Sequence, residues 1–245
     1  MSINSFFYGK KLNKMEELTI VSFLNKNNTF NLFSYSKNIT DIKDKNLNII
    51  NANEILNEDK FFTYFGFGDC PTNSVGGFSD IFRFALLKKI EGWYVDMDVT
   101  CLSDFKTIDS PIVLRPHKTQ DVVANIIKCN NSDFIDYIYN EYNEKIDRNN
   151  DNWVKPLEIL KNAVKKFDLQ KYIVENGVFG NDDADFLYKI INNNVYELEN
   201  LPTHAIHWCN TACTTSMWNT KLKVDWNKPR LASLYYCLLK KNNLV

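Results

Sequence analysis

The chain of 245 residues has no surplus of either charge: 29 Lys and Arg stand against 30 Asp and Glu, a formal net charge of -1. Proteins that hold nucleic acid through its phosphates need a basic surplus, so that class of partner is not expected. Long apolar runs are missing as well. None approaches the ~20 residues that cross a bilayer, and the opening MSINSFFYGK lacks the cationic-then-apolar pattern of a secretory leader. A cytoplasmic protein without a transmembrane segment is the expectation. The six cysteines (Cys70, Cys101, Cys129, Cys209, Cys213 and Cys237) follow no disulfide-scaffold spacing and read as reduced, partly buried thiols. Glycine is scarce. Of eight in all, four crowd between Gly66 and Gly77, a loop that serves either as a lid or as an ordinary connection.

What is present is apolar and aromatic material, 44% and 14% of residues, enough for a substantial core in one large α/β domain. Strands are expected over Ile3 to Tyr8, Phe30 to Tyr35 and Leu47 to Ile50, with helices over Lys14 to Leu24 and Ala52 to Leu56. That alternation predicts a mainly parallel sheet. Residues 1–100 would form a nucleotide-binding half and 101–245 an acceptor-side half of the same domain. A strand over Pro111 to Pro116, the segment Val122 to Cys129 and a polar helix near Asp133 to Asp147 follow. The tail from Arg230 to Lys241 has the pattern of an amphipathic helix packed on its own domain, with peripheral membrane contact as the second reading.

The most informative stretch is GGFSDIFRFALLKKIEGWYVDMDVTCL, residues 76–102. Gly76 and Gly77 read as a sharp turn, with Ser79 as the N-cap of a helix and Asp80 in its first turn. Asp80 and Arg83, three apart, share a helical face. Gly92 is placed to end the helix. Trp93 to Asp98 reads as a strand, so Tyr94, Asp96 and Asp98 point one way and Trp93, Val95 and Met97 the other. Two carboxylates about 6.5 Å apart at Cα on one strand face repel unless a cation lies with them. A hard divalent ion suits that pair and keeps positions open for diphosphate oxygens. A second triplet, Asp183-Ala184-Asp185, lies in a polar run and reads as a loop or helix start.

The string Phe78-Ser79-Asp80-x-x-Arg83, Leu86-Leu87, Gly92-Trp93-Tyr94-x-Asp96-x-Asp98 resembles the core signature of the family 32 glycosyltransferases and their capsular-polysaccharide and clostridial-toxin relatives. The resemblance implies a GT-A fold and transfer of a sugar from a nucleotide diphosphate, most simply a UDP-sugar, with manganese or magnesium and retention of configuration. It implies a metal held by Asp96 and Asp98, and a donor held by Asp80, Arg83 and Tyr94. Phe7-Tyr8-Gly9, at the end of the first strand, matches the segment that holds the base. Asn125 matches an Asn that opens a helix and contacts the donor sugar. Gly177 is what remains of a Thr-Gly-Pro found near the sugar. Ala205-Ile206-His207 with Trp218 resembles a late motif that completes the metal shell, with His207 the expected ligand and His204 its rival. A zinc site from His204, His207, Cys209 and Cys213 is disfavoured by the crowded spacing. Acceptors would be a glycan, a lipid-linked glycan or a protein.

A rival reading comes from another class. Asp96-Met97-Asp98-Val99-Thr100 is also the Asp-x-Asp-x-Thr of haloacid-dehalogenase-type phosphatases, where the first Asp attacks phosphorus. Against it, some ninety residues of α/β pattern precede the motif, Val99 replaces the usual Gly, and Asp80 and Arg83 are left without a role.

Overall fold

A computed structural model describes residues 1–118, 121–180, 183–198, 201–214 and 224–245. Its centre is a mixed sheet of six strands: β1 (Ser2–Phe7), β2 (Thr29–Ser34), β3 (Leu47–Asn51), β4 (Trp93–Val95), β6 (Ile112–His117) and β7 (Asp121–Cys129). A short strand β5 (Val99–Cys101) lies between β4 and β6 in the chain. The order across the sheet is β3-β2-β1-β4-β7-β6. The pairings β1–β2, β2–β3 and β1–β4 are parallel, whereas β4–β7 and β6–β7 are antiparallel. The expected mixed, mainly parallel α/β sheet is what forms, and both halves of the chain contribute strands to it.

Alternation along the strands sends side chains into two cores. On one face Phe6, Phe33, Tyr94 and Leu114 pack under α2 (Gly76–Leu87), α3 (Ser132–Lys145) and α4 (Lys155–Lys166). On the other, Ile3, Trp93, Val95 and Met97 meet Ile20 and Phe23 of α1 (Lys14–Leu24). A third cluster joins Met15 and Leu18 of α1 to α5 (Ala184–Asn192), to Trp208 after β8 (Ala205–His207), to α6 (Asn210–Thr214) and to α7 (Leu234–Lys241). Burying Leu234, Tyr235, Leu238 and Leu239 against Trp226 and Trp208 gives the tail helix its partner inside the domain. Among the described residues no helix is long and apolar enough to cross a membrane.

Three local expectations need correction. Helix α2 begins at Gly76, with Val75 at the N-cap position and no side-chain cap, so Ser79 and Asp80 lie within the helix. Gly76 and Gly77 are there for close approach. A Cβ on Gly77 would sit 2.4 Å from the Tyr64 hydroxyl, and one on Gly76 2.9 Å from the Trp153 ring. The helix stops at Leu87; Gly92, at φ +128, instead turns the chain into β4 over the Ser2 carbonyl. Finally, β4 stops at Val95, and Met97 and Asp98 form a turn into β5. Elsewhere α1 has the expected bounds, because Asn13 accepts from the Met15 and Glu16 N–H groups while Glu16 accepts from the Asn13 N–H.

The glycine-rich loop is fastened along its length. The Phe65 N–H donates to the Arg148 carbonyl, Asp69 N–H to the Asp151 carbonyl, and Trp153 N–H to the Asp69 carboxylate at 2.6 Å. These bonds favour the ordinary connection over the lid.

Candidate active site

The carboxyl ends of β1 and β4 open onto a cavity of 520 Å³. Helix α2 brings Asp80 and Arg83 to it from above the sheet. The Arg83 guanidinium spans two carboxylates: Nη1 lies 2.6 Å from Asp80 Oδ1, and Nη2 lies 2.8 and 3.0 Å from the two Asp96 oxygens. Its carbon sits 4.9 Å from the centroid of the Tyr94 ring. Tyr94 is therefore a buried floor under the cation, and supports the carboxylates through Arg83.

The second carboxylate arrives by the turn. Thr19 of α1 donates to the Met97 carbonyl at 2.8 Å, and Ser22 accepts from the Cys101 N–H at 2.9 Å, so α1 clasps both sides of Asp98. Strand β8 lies antiparallel to β5, with Val99 opposite His207. This pairing puts His207 Nε2 3.3 Å from Asp98 Oδ2. The same oxygen accepts the Asn210 N–H at 2.8 Å, and the Asp98 carbonyl accepts the Trp208 N–H. One ligand atom each from Asp96, Asp98 and His207 falls within 4.8 Å of the others.

Acidic groups crowd this cluster. Asp80 and Asp96 share the guanidinium of Arg83, and Asp98 stands beside His207. Burial pushes the Asp80 carboxyl up to about 6 against the pull of Arg83, and burial also raises Asp96, again opposed by Arg83. Arg83 itself stays charged, held by both carboxylates despite its burial. A fourth carboxylate, Glu16, lines the same cavity, and burial lifts it to about 7. Two carboxylate oxygens and one imidazole nitrogen within this reach of one another fit a divalent ion such as manganese or magnesium.

The expected donor residues are only partly brought together. Phe7 and Tyr8 line the cavity; Phe7 is largely core, while Tyr8 is 42% exposed and stacks on Phe61 at 3.8 Å between centroids. Gly9 is not in the cavity wall; a Cβ there would meet the Phe7 ring at 2.7 Å. Asn125 does line the cavity, but from the middle of β7 and not from a helix, because Asp121–Cys129 forms the antiparallel neighbour of β4. Its Oδ1 accepts from Arg115 at 3.2 Å, while its buried Nδ2 makes no hydrogen bond among the described residues. Gly177, at φ +91, lines a separate cavity beside Asn176 and Pro202, away from this cluster. His204 is likewise elsewhere, bonded to Thr107 and Thr203 and packed on Phe105 and Phe179. Trp218 lies outside the described residues.

Sequence reasoning missed Glu16, Thr19 and Asn210, and weighed Cys209 only as a disfavoured zinc ligand. The helix over Lys14 to Leu24 was expected, yet nothing in its sequence says that its start faces a cavity. Cys209, at φ +49, lies 3.2 Å from His207 Nδ1 and turns the chain so that Asn210 can reach Asp98.

No protein-family model and no curated protein matches the chain. Solved structures similar to it include "PaToxG Glycosyltransferase", at 15% identity over 68% of each chain with a TM-score of 0.45. Another is "WbbM bifunctional glycosytransferase apo structure", at 10% identity over 85% of this chain and 45% of that one, with a TM-score of 0.47.

Proposed function

We propose that this chain is a metal-dependent glycosyltransferase that moves a sugar from a UDP-sugar to a glycan, lipid-linked or protein acceptor. The observation that carries the reading is the convergence of Asp96, Asp98 and His207 beside the Asp80–Arg83–Asp96 bridge, at the mouth of a cavity large enough for a nucleotide sugar. Asp98 and His207 would hold the ion, with Asp96 joining directly or through water. When bound, a divalent ion supplies Lewis-acid stabilisation of the charge developing on the departing diphosphate.

The remaining work falls to the chain's own groups. Arg83 fixes Asp80 and Asp96 and presents a cation toward the donor. Asp80, partly exposed at the cavity edge, accepts from sugar or ribose hydroxyls. The Asn125 amide nitrogen, buried on the wall with its hydrogens unspent, donates to a donor oxygen. Tyr8, presented with Phe61, offers a stacking face for the base. Retention of configuration is what the family 32 resemblance implies.

The phosphatase reading loses its parts in three dimensions. Both oxygens of Asp96, its nucleophile, accept from Arg83, and the Thr100 hydroxyl accepts from the Trp208 indole at 2.8 Å. Asp183 caps α5, pairs with Lys118 and lines the other cavity.

The test is a thermal-shift and UDP-release measurement with UDP-sugars, with and without Mn2+. Stabilisation and slow donor hydrolysis should both require the metal, and Asp98→Ala should abolish both while still melting cooperatively. Metal-independent turnover, or normal turnover in Asp98→Ala, would overturn the proposal.

A further inference from the structure

The cavity continues past the carboxylates, and its far end has a different chemistry. Gly76, Asp80 and Arg83 recur at helical spacing on one face of α2, so the wall they form runs about 10 Å along the helix axis from Arg83 to Gly76. At the Arg83 end the wall is ionic. At the Gly76 end stand Val75, Trp153 and Tyr64, and Leu157 and Leu160 of α4 line the same cavity. The missing Cβ atoms of Gly76 and Gly77 are what let the Trp153 and Tyr64 rings press onto the start of α2. The two rings meet edge to face, with centroids 6.2 Å apart.

The Tyr64 hydroxyl stands at this end, close over Gly77, and the Ser79 hydroxyl lines the same cavity. The Tyr64 hydroxyl accepts from Asn150 Nδ2 at 3.5 Å, which leaves its own hydrogen to donate. Burial pushes Tyr64 far above its ordinary range, so that hydrogen is retained. A hexose hydroxyl placed against Trp153, Leu157 and Leu160 would lose its water and find few partners. An acetamido group presents what the wall can use: a methyl for the apolar side chains and a carbonyl oxygen for the Tyr64 hydroxyl.

Resting on the nucleotide-sugar reading above, we propose that the donor is an N-acetylated amino sugar whose acetamido group seats between Trp153, Leu157 and the Tyr64 hydroxyl. Calorimetric titration in Mn2+ would compare UDP-N-acetylglucosamine with UDP-glucose and UDP-N-acetylgalactosamine with UDP-galactose, with UDP as reference. One N-acetyl sugar should bind about tenfold more tightly than its hydroxyl twin. That ratio should fall toward one in Trp153→Ala and in Leu157→Phe, which empty and fill the chamber respectively, with melting curves confirming that each variant folds. UDP binding with no preference for either acetylated sugar would overturn this inference and leave the transferase standing. A preference that survives in both variants would overturn the seat. Failure of UDP itself to bind with Mn2+ would overturn the parent reading and this one together.

Discussion

Thr19 donates its hydroxyl to the Met97 carbonyl at 2.8 Å, joining residues 78 apart in the chain. Through this bond the first helix holds the peptide between the two carboxylates of the site. Both partners are buried, so water cannot replace either one.

Thr19→Val keeps the shape and removes the donor. The Met97 carbonyl is then left without that partner, at a cost of about 1–3 kcal/mol. The variant should melt lower by a corresponding amount in urea titration. Its stabilisation by Mn2+ should also weaken, because the turn carrying Asp98 loses its anchor. A loss of stability with unchanged Mn2+ response would show that α1 does not position the turn.

Glu16 predicts a pH dependence. Its carboxyl ordinarily titrates near 4.5 and is lifted to about 7 in the folded protein, first by burial and further by Asp98 and Glu17. The folded state therefore binds this proton more tightly than the unfolded chain. The stability it contributes is complete below about 4.5 and is lost as pH rises through about 7. Glu16→Gln removes the charge, while its amide oxygen can still accept the Asn13 N–H. The variant should gain melting temperature over the parent chain at pH 8 and little at pH 5. An equal difference at both pH values would refute the assignment.

Gly77→Ala sets two effects against each other. Alanine is the better helix former by up to about 1 kcal/mol. Its Cβ, however, would lie 2.4 to 2.7 Å from three atoms of Tyr64, a ring only 2% exposed and unable to retreat. Overpacking of that kind costs about 1–3 kcal/mol, so the variant should be destabilised in urea titration. Gly76→Ala meets Trp153, which is half-buried and can shift, and should lose less. A stabilised Gly77→Ala would mean that Tyr64 is not fixed against α2.

Much of this arrangement was legible in the residues themselves. The helix over Lys14 to Leu24 and the apolar runs that become β1, β2 and β3 are local signals, each set within a few residues. The i,i+3 pairing of Asp80 with Arg83 follows from helix geometry alone. The opposed faces of Trp93 and Tyr94 follow from strand geometry, and the two rings do enter opposite cores.

Other features were decided only when distant segments met. The sequence could not say that Arg83 bridges to Asp96, since that bond depends on how α2 lies across the end of β4. It could rank His207 above His204 only by resemblance; the β5–β8 register, with Val99 opposite His207, places the imidazole beside Asp98. Asn125 reads equally well as a helix or strand residue until β7 pairs antiparallel with β4. Gly76 and Gly77 look like a turn until Tyr64 and Trp153 are seen to need the space. Local periodicity fixes what each segment becomes, because its causes lie within one or two turns of chain. Which carboxylates share a cation, and which rings wall the cavity, is set by long-range packing, where a shift of one residue in register would separate the same groups.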